Sequence, residues 1–302
     1  MTALALLIQS APAAAQFLSF VSATGNDANT CFVQANPCKT LNKAIGVTSA
    51  GGEVRVLSQL TGNGFINKSL TIEGGGNTII GTIAVNSASA VVTFRGLTLN
   101  GRHAFATGFN LINAAAVHIE DSTVERYTGF AIRLTGDGSI TTELFVSNVI
   151  ERESNFGLFF SAVNAKLTIV DSRFENNSDA GVAVADGQAS IHRSAFLNNA
   201  DVGLGMTGGS TNVTESIAAG NSVGFLASAP STFDRCVASG NGTGFQNQAT
   251  TRVSNSTFTN NGTGVFLFFG TFLTLGNNLI ARNTTDIDEG PEDLTLTPLA
   301  GL

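Results

Sequence analysis

The chain has 302 residues, 43 % of them hydrophobic and only 12 % charged, which is ample material for a core and little for a disordered chain. A formal net charge of −7, with no run of Lys or Arg, argues against a nucleic-acid partner, which would require a basic stripe. Helix formers are scarce beside Gly, Asn, Ser, Thr and Phe, a balance that favours strands and tight turns.

Residues 1–16 read as a signal peptide. Leu4–Ile8 form a short apolar run, and Ala13-Ala14-Ala15 supply the small residues of a cleavage site. No later stretch is long and apolar enough to form a transmembrane segment. The mature protein is therefore expected to be secreted, periplasmic or on the cell surface.

Residues 17–90 form an N-terminal segment with a cap and the first coils. Cys31 and Cys38 bracket a short loop containing Pro37, and a disulfide there suits an oxidising compartment. A metal site would need more ligands, and His103, His118 and His192 lie far away in sequence. One short amphipathic helix is expected near Lys39–Val47, covering the unpaired edge of the first coil.

Residues 91–283 repeat. HIEDSTVER, TIVDSRFENN, SIHRSAFLNN, NVTESIAAGN and TFDRCVASGN align on a leading apolar residue. That residue is Phe94, Ile119, Phe145, Ile169, Ile191, Val213, Phe233, Val253 and Leu275, at intervals of 20 to 26 residues. Self-similarity at such a period, with a second strand after a glycine in each unit and no helical periodicity, reads as a β-solenoid. Leu99, Val124, Ile150, Phe174, Phe196, Ala218, Ala238, Phe258 and Ile280 then form an interior column. Asn177, Asn199, Asn221, Asn241, Asn261 and Asn283 form another, read as a hydrogen-bonded asparagine ladder rather than a row of sugar-binding amides. Cys236 falls in a column of Ser172, Ser194, Ser216 and Ser256, as a small stacking residue. Asp171, Arg193, Glu215 and Arg235 alternate in charge and read as a surface salt-bridge ladder. Residues 284–302 are a C-terminal cap or tail, whose acids read as solvated rather than as a calcium site.

Two sets of outward residues are candidates for function. Glu125, Glu151 and Glu175 are placed in one outward column, with Arg173 on the same strand face. Carboxylates stacked one coil apart repel by about 3 kcal/mol at an effective dielectric near 20. They need Arg126, Arg152 and Arg173, or a calcium ion, to compensate them. No other cofactor is expected. The second set lies on the strand after the glycine: Ala131, Phe159, Leu226 and Phe266, with Phe268 nearby. Such a patch is either covered by the tail Leu294–Leu302 or makes contact with a copy of the chain or a cell surface.

These features resemble the pectin-lyase-like superfamily of right-handed parallel β-helices over nearly the whole mature chain. Asn36-Pro37-Cys38-Lys39-Thr40-Leu41 and Gly51-Gly52-Glu53 are similar to a pattern of bacterial exported β-helix proteins. The implied fold class is all-β, a single-stranded right-handed parallel β-helix (β-solenoid) with a short N-terminal capping helix. Family enzymes include pectate lyases, polygalacturonases, sugar epimerases and phage-type depolymerases. The Asn-Thr-Asp, Asp-Asp, Gly-His-Gly and Arg-Ile-Lys motifs of polygalacturonases are missing, as is Asp-Pro-His-Asp of alginate epimerases. Calcium-dependent lyases pair an acidic metal site with an arginine base, for which Arg173 beside Glu125, Glu151 and Glu175 is the counterpart. The expected function is a structural or recognition role at the cell envelope, with polysaccharide as the candidate ligand. The competing reading is a polysaccharide lyase or glycoside hydrolase acting on an acidic polysaccharide.

Overall fold

The computed structural model describes residues 17–136, 141–290 and 297–298. The signal peptide expected at 1–16, and the tail Leu294–Leu302 apart from Thr297 and Pro298, lie outside the described residues. The chain winds as an all-β parallel solenoid of about 11 turns. Each coil lays down three strands, here called faces A, B and C. One coil runs Lys166–Val170 on A, Arg173–Glu175 on B and Val182–Val184 on C; the next runs Gln188–His192, Ala195–Leu197 and Val202–Met206. The strands of these coils pair in parallel with their equivalents in the neighbouring coils. Among the described residues, face B is an 11-stranded sheet, whereas A and C merge into one sheet of 22 strands. They merge because Ile83–Arg95 and Thr107–Glu120 run unbroken from face C onto face A.

Alternation along each strand sends one apolar set inward. Phe174, Phe196, Phe225, Phe233, Phe245 and Phe258 are fully buried and stack along the axis, with ring centroids 5.0 to 6.5 Å apart. Each such burial is worth about 1.5–3 kcal/mol. Between faces A and B the chain turns through a left-handed residue: Asp121, Asn148, Asp171, Arg193, Glu215, Arg235 and Asn255, with φ from 45° to 52°. Asn and Asp adopt that conformation more readily than most side chains, and the outward corner keeps the charged ones in water.

Between faces B and C the asparagines form a polar ladder. The Nδ2 of Asn199 donates to Asn221 Oδ1 at 3.1 Å, Asn221 Nδ2 to Asn241 at 3.0 Å, and Asn241 Nδ2 to Asn261 at 3.0 Å. Each Oδ1 also accepts the preceding asparagine's backbone N–H, and each amide's second hydrogen goes to a carbonyl of the coil before. At one end Asn283 donates to Asp286; at the other Asn177 donates to Asn199 and to the Glu151 carboxyl.

The cap follows from local chemistry. The helix α1 spans Leu41–Val47 and buries Leu41, Ala44 and Ile45. It begins two residues later than expected because Thr40 is extended and serves as N-cap, its hydroxyl accepting from Lys43 N at 3.3 Å. Cys31 and Cys38 are disulfide-bonded with Cα atoms 5.0 Å apart, and Cys38 forms a bridge to Val21 of the first strand.

One stretch departs from the expected register. Val146, not Phe145, pairs with Ile119 and Ile169, so Phe145 faces outward. The same slip turns Ile150 to solvent and Glu151 inward, between Val124 and Phe174. Both Phe145 and Val146 are apolar, and a one-residue shift exchanges the faces of a strand. The corner at Asn148, aligned with Asp121 and Asp171, sets the true register. In the last coil Thr274 takes the inward place expected for Leu275.

Candidate functional site

The acidic set on face B does not form one column. Glu125 and Glu175 share a column, but Arg152 sits between them. Arg152 Nη2 meets Glu125 Oε2 at 2.9 Å, and Asn100 Nδ2 donates to the other oxygen at 2.6 Å. Arg173 lies outward, one strand position from Phe174, and is bonded to Glu175. At the corner Arg126 pairs with Glu153 at 2.7 Å, which holds that carboxyl below its usual range. Glu151 is apart from all of these, wholly inside the coil. Glu125 and Glu175, expected to face outward, are both buried, each against its arginine, and Arg173, the candidate base, is committed to Glu175. Among the described residues, no group of three or more His, Cys, Asp or Glu side chains is placed to hold a metal ion.

The aromatic set on face C divides in two. Phe159 packs with Phe130 and Phe156 at 5.2 and 6.3 Å, and the Arg133 guanidinium lies 5.3 Å from the Phe130 centroid. Arg133 takes the outward position beside Phe159. Ala131, expected there, is buried at the place that glycine holds in later coils, because Ile132 and Leu134 carry the inward register. Phe266 and Phe268 form a second group with centroids 5.6 Å apart. Ala183, Gly205, Leu226 and Gln246 separate the two groups along the column.

Face A carries a continuous outward column not foreseen in the sequence. It runs His118, Phe145, Thr168, Ser190, Asn212, Thr232, Arg252, one residue per coil. The His118 and Phe145 rings stack at 4.6 Å with planes 10° apart. Beyond them the column floors a groove of about 380 Å³, with Lys166 and Arg252 toward its two ends. Four coil spacings separate those cations, about 19 Å at about 4.8 Å per coil. Lys166 meets Glu143 at 3.2 Å, with both side chains largely exposed, so the pair is weak and the ammonium remains available. Glu120, beside the platform, is held by Arg95 at 3.1 Å and lies 3.8 Å from His118. The column was hidden by the register slip at Phe145. Counting back from the corner residues Asp121, Asn148 and Asp171 would have exposed it. Its flat aromatic step, hydroxyls, amide and flanking cations suit a hydroxyl-rich anionic chain lying along the axis.

A family model described as right handed beta helix region matches residues 29–196. Among solved structures, pectate lyase Pel9A superposes with a TM-score of 0.57 at 18 % identity, covering 90 % of this chain and 78 % of that one. A rhamnogalacturonan lyase gives a TM-score of 0.57 at 13 % identity, with coverages of 93 % and 86 %. At these identities the likeness is one of fold. A search of curated proteins finds no match.

Proposed function

The chain belongs to the right-handed β-helix family, and from that premise we propose that it is an exported module that binds an anionic polysaccharide along face A. The face A column carries this reading: one outward residue per coil from the His118–Phe145 platform to Arg252. An aromatic step offers sugar rings an apolar surface. Thr168, Ser190, Asn212 and Thr232 offer hydrogen-bond partners at each coil, and Lys166 and Arg252 attract carboxylates. Polysaccharide as the ligand class is also in keeping with the names of the two lyases that share the fold. Export is supported by the apolar run and Ala13-Ala14-Ala15, together with the Cys31–Cys38 disulfide.

Binding without cleavage is the reading that the acids favour. Glycoside hydrolysis needs two carboxyl groups flanking the bond, one of them protonated. On face B, Glu125 and Glu175 are bonded to Arg152 and Arg173, and Glu151 is enclosed in the interior. On face A, Glu120 and Glu143 are likewise paired with Arg95 and Lys166. The test is titration with polygalacturonate, alginate, hyaluronan and a neutral glucan, following affinity and unsaturated or reducing-end products together. An acidic polymer should bind without turnover, and Lys166→Ala with Arg252→Ala should weaken it at least about tenfold, about 1.4 kcal/mol. Phe145→Ala should weaken it independently of salt. Undiminished binding by the double variant would remove the ligand from face A. Turnover lost in Arg173→Ala would instead establish a lyase on face B.

A further inference from the structure

Glu151 is the acid that the fold has least reason to bury. Its column is otherwise apolar through Leu99, Val124, Phe174 and Phe196. Its side chain is wholly enclosed, and Oε1 has no hydrogen-bond partner. Oε2 accepts from Asn177 Nδ2 at 2.8 Å, where later asparagines use a backbone carbonyl. Gly157 makes room for it, since a Cβ there would collide with Oε2. The carboxyl therefore sits at the head of the asparagine ladder, with Ser154 in the ladder position before Asn177.

Among the described residues, no cation balances it from within. Face A contributes Leu144 and Val146 to the interior of this coil, and face C contributes Leu158 and Phe160. On face B, Arg152 is bonded to Glu125 and Arg173 to Glu175; at the corner Arg126 is bonded to Glu153. We propose that the coil carrying Glu151 is a proton-latched joint: closed while the carboxyl is neutral, and opening locally, ahead of the coils from Asn221 onward, as the pH rises.

Burial is the main reason the Glu151 carboxyl is pushed up to about 8, with the nearby Glu175 charge adding to it and bonds from Asn177 and Ser154 opposing it. In an opened coil the group regains its ordinary value of about 4.3. Opening is then unassisted in acid, becomes easier as pH climbs from about 5 to about 8, and levels off once the closed form also ionises. Phe145 belongs to the same coil, so opening would also loosen the His118–Phe145 platform; this consequence alone rests on the glycan reading.

Hydrogen exchange of the unliganded protein from pH 5 to pH 8 tests the joint, after correction for the intrinsic exchange rate. Peptides covering 143–161 should lose protection by up to about tenfold per pH unit, while peptides covering 231–259 keep theirs. Glu151→Gln should flatten that slope, and so should Glu151→Leu, which restores the apolar column; either variant suffices if the other does not fold. Equal slopes in both regions, or a slope that survives in a folded variant, would overturn the proposal.

Discussion

At the residue scale, the glycines that open face C are set by the ladder. A Cβ on Gly203 would lie 2.7 Å from the Gly224 carbonyl and 2.9 Å from Asn221 Nδ2, and Gly181 and Gly224 meet the same obstruction from Asn199 and Asn241. Asn221 in turn satisfies a neighbouring amide on each side. Asn221→Ala should therefore strand the Asn199 amide and cost about 1–3 kcal/mol, measured as a shift in the denaturation midpoint with an unchanged slope. Both features were legible in the sequence, because glycine and asparagine recur at fixed offsets from coil to coil. Glu151 was not. Hydrophobicity favours Ile150 for the interior, yet Ile150 is 44 % exposed and Glu151 fully buried. The backbone corner decided the register there, and a left-handed φ leaves only a weak imprint on residue type.

At the level of the elements, the corner between faces A and B carries its charges in pairs rather than in one continuous chain. Arg193 grips both oxygens of Asp171 at 2.7 and 2.8 Å, and Arg235 meets Glu215 at 3.0 Å. All four side chains are substantially exposed, so each pair contributes about 0–1 kcal/mol and chiefly opposes a slipped register. On face B, Glu125 and Glu175 are also paired one to one, with Arg152 and Arg173, although both carboxylates are buried. Calcium is therefore expected to change thermal stability little. A site occupied at a hundred times its dissociation constant would add about 2.7 kcal/mol, so a clear rise in melting temperature with calcium, abolished by Glu125→Gln, would refute the arginine-compensated reading of that face. The charge pairing followed from the sequence for Asp171 and Arg193, which share a repeat position. The face A column did not, because Thr, Ser and Asn are the usual outward residues of any strand and signal a site only once His118 and Phe145 are seen stacked beside them.

For the whole molecule, the fold was the most legible feature, since a unit that occurs nine times outweighs any single misplaced residue. Its strand pairings are nearest-neighbour: each coil pairs with the one before and the one after, as expected of a solenoid. From Asn221 through Asn241 to Asn261 the chain returns to the same corner every 20 residues, with Phe225 and Phe245 in matching places. Removing residues 222–241 should accordingly join Asn221 to Gly242 in register and leave a folded, shorter solenoid. Retained cooperative unfolding and a strand signal reduced in proportion would bear this out, and a molten product would contradict it. The 20-residue coil thereby becomes a graduation mark on a gauge. Duplicating it would lengthen face A by about 4.8 Å, moving Arg252 away from Lys166 by one step while leaving the ends of the molecule untouched. The reach of the groove is then a quantity the gene can adjust by copying, without any new architecture.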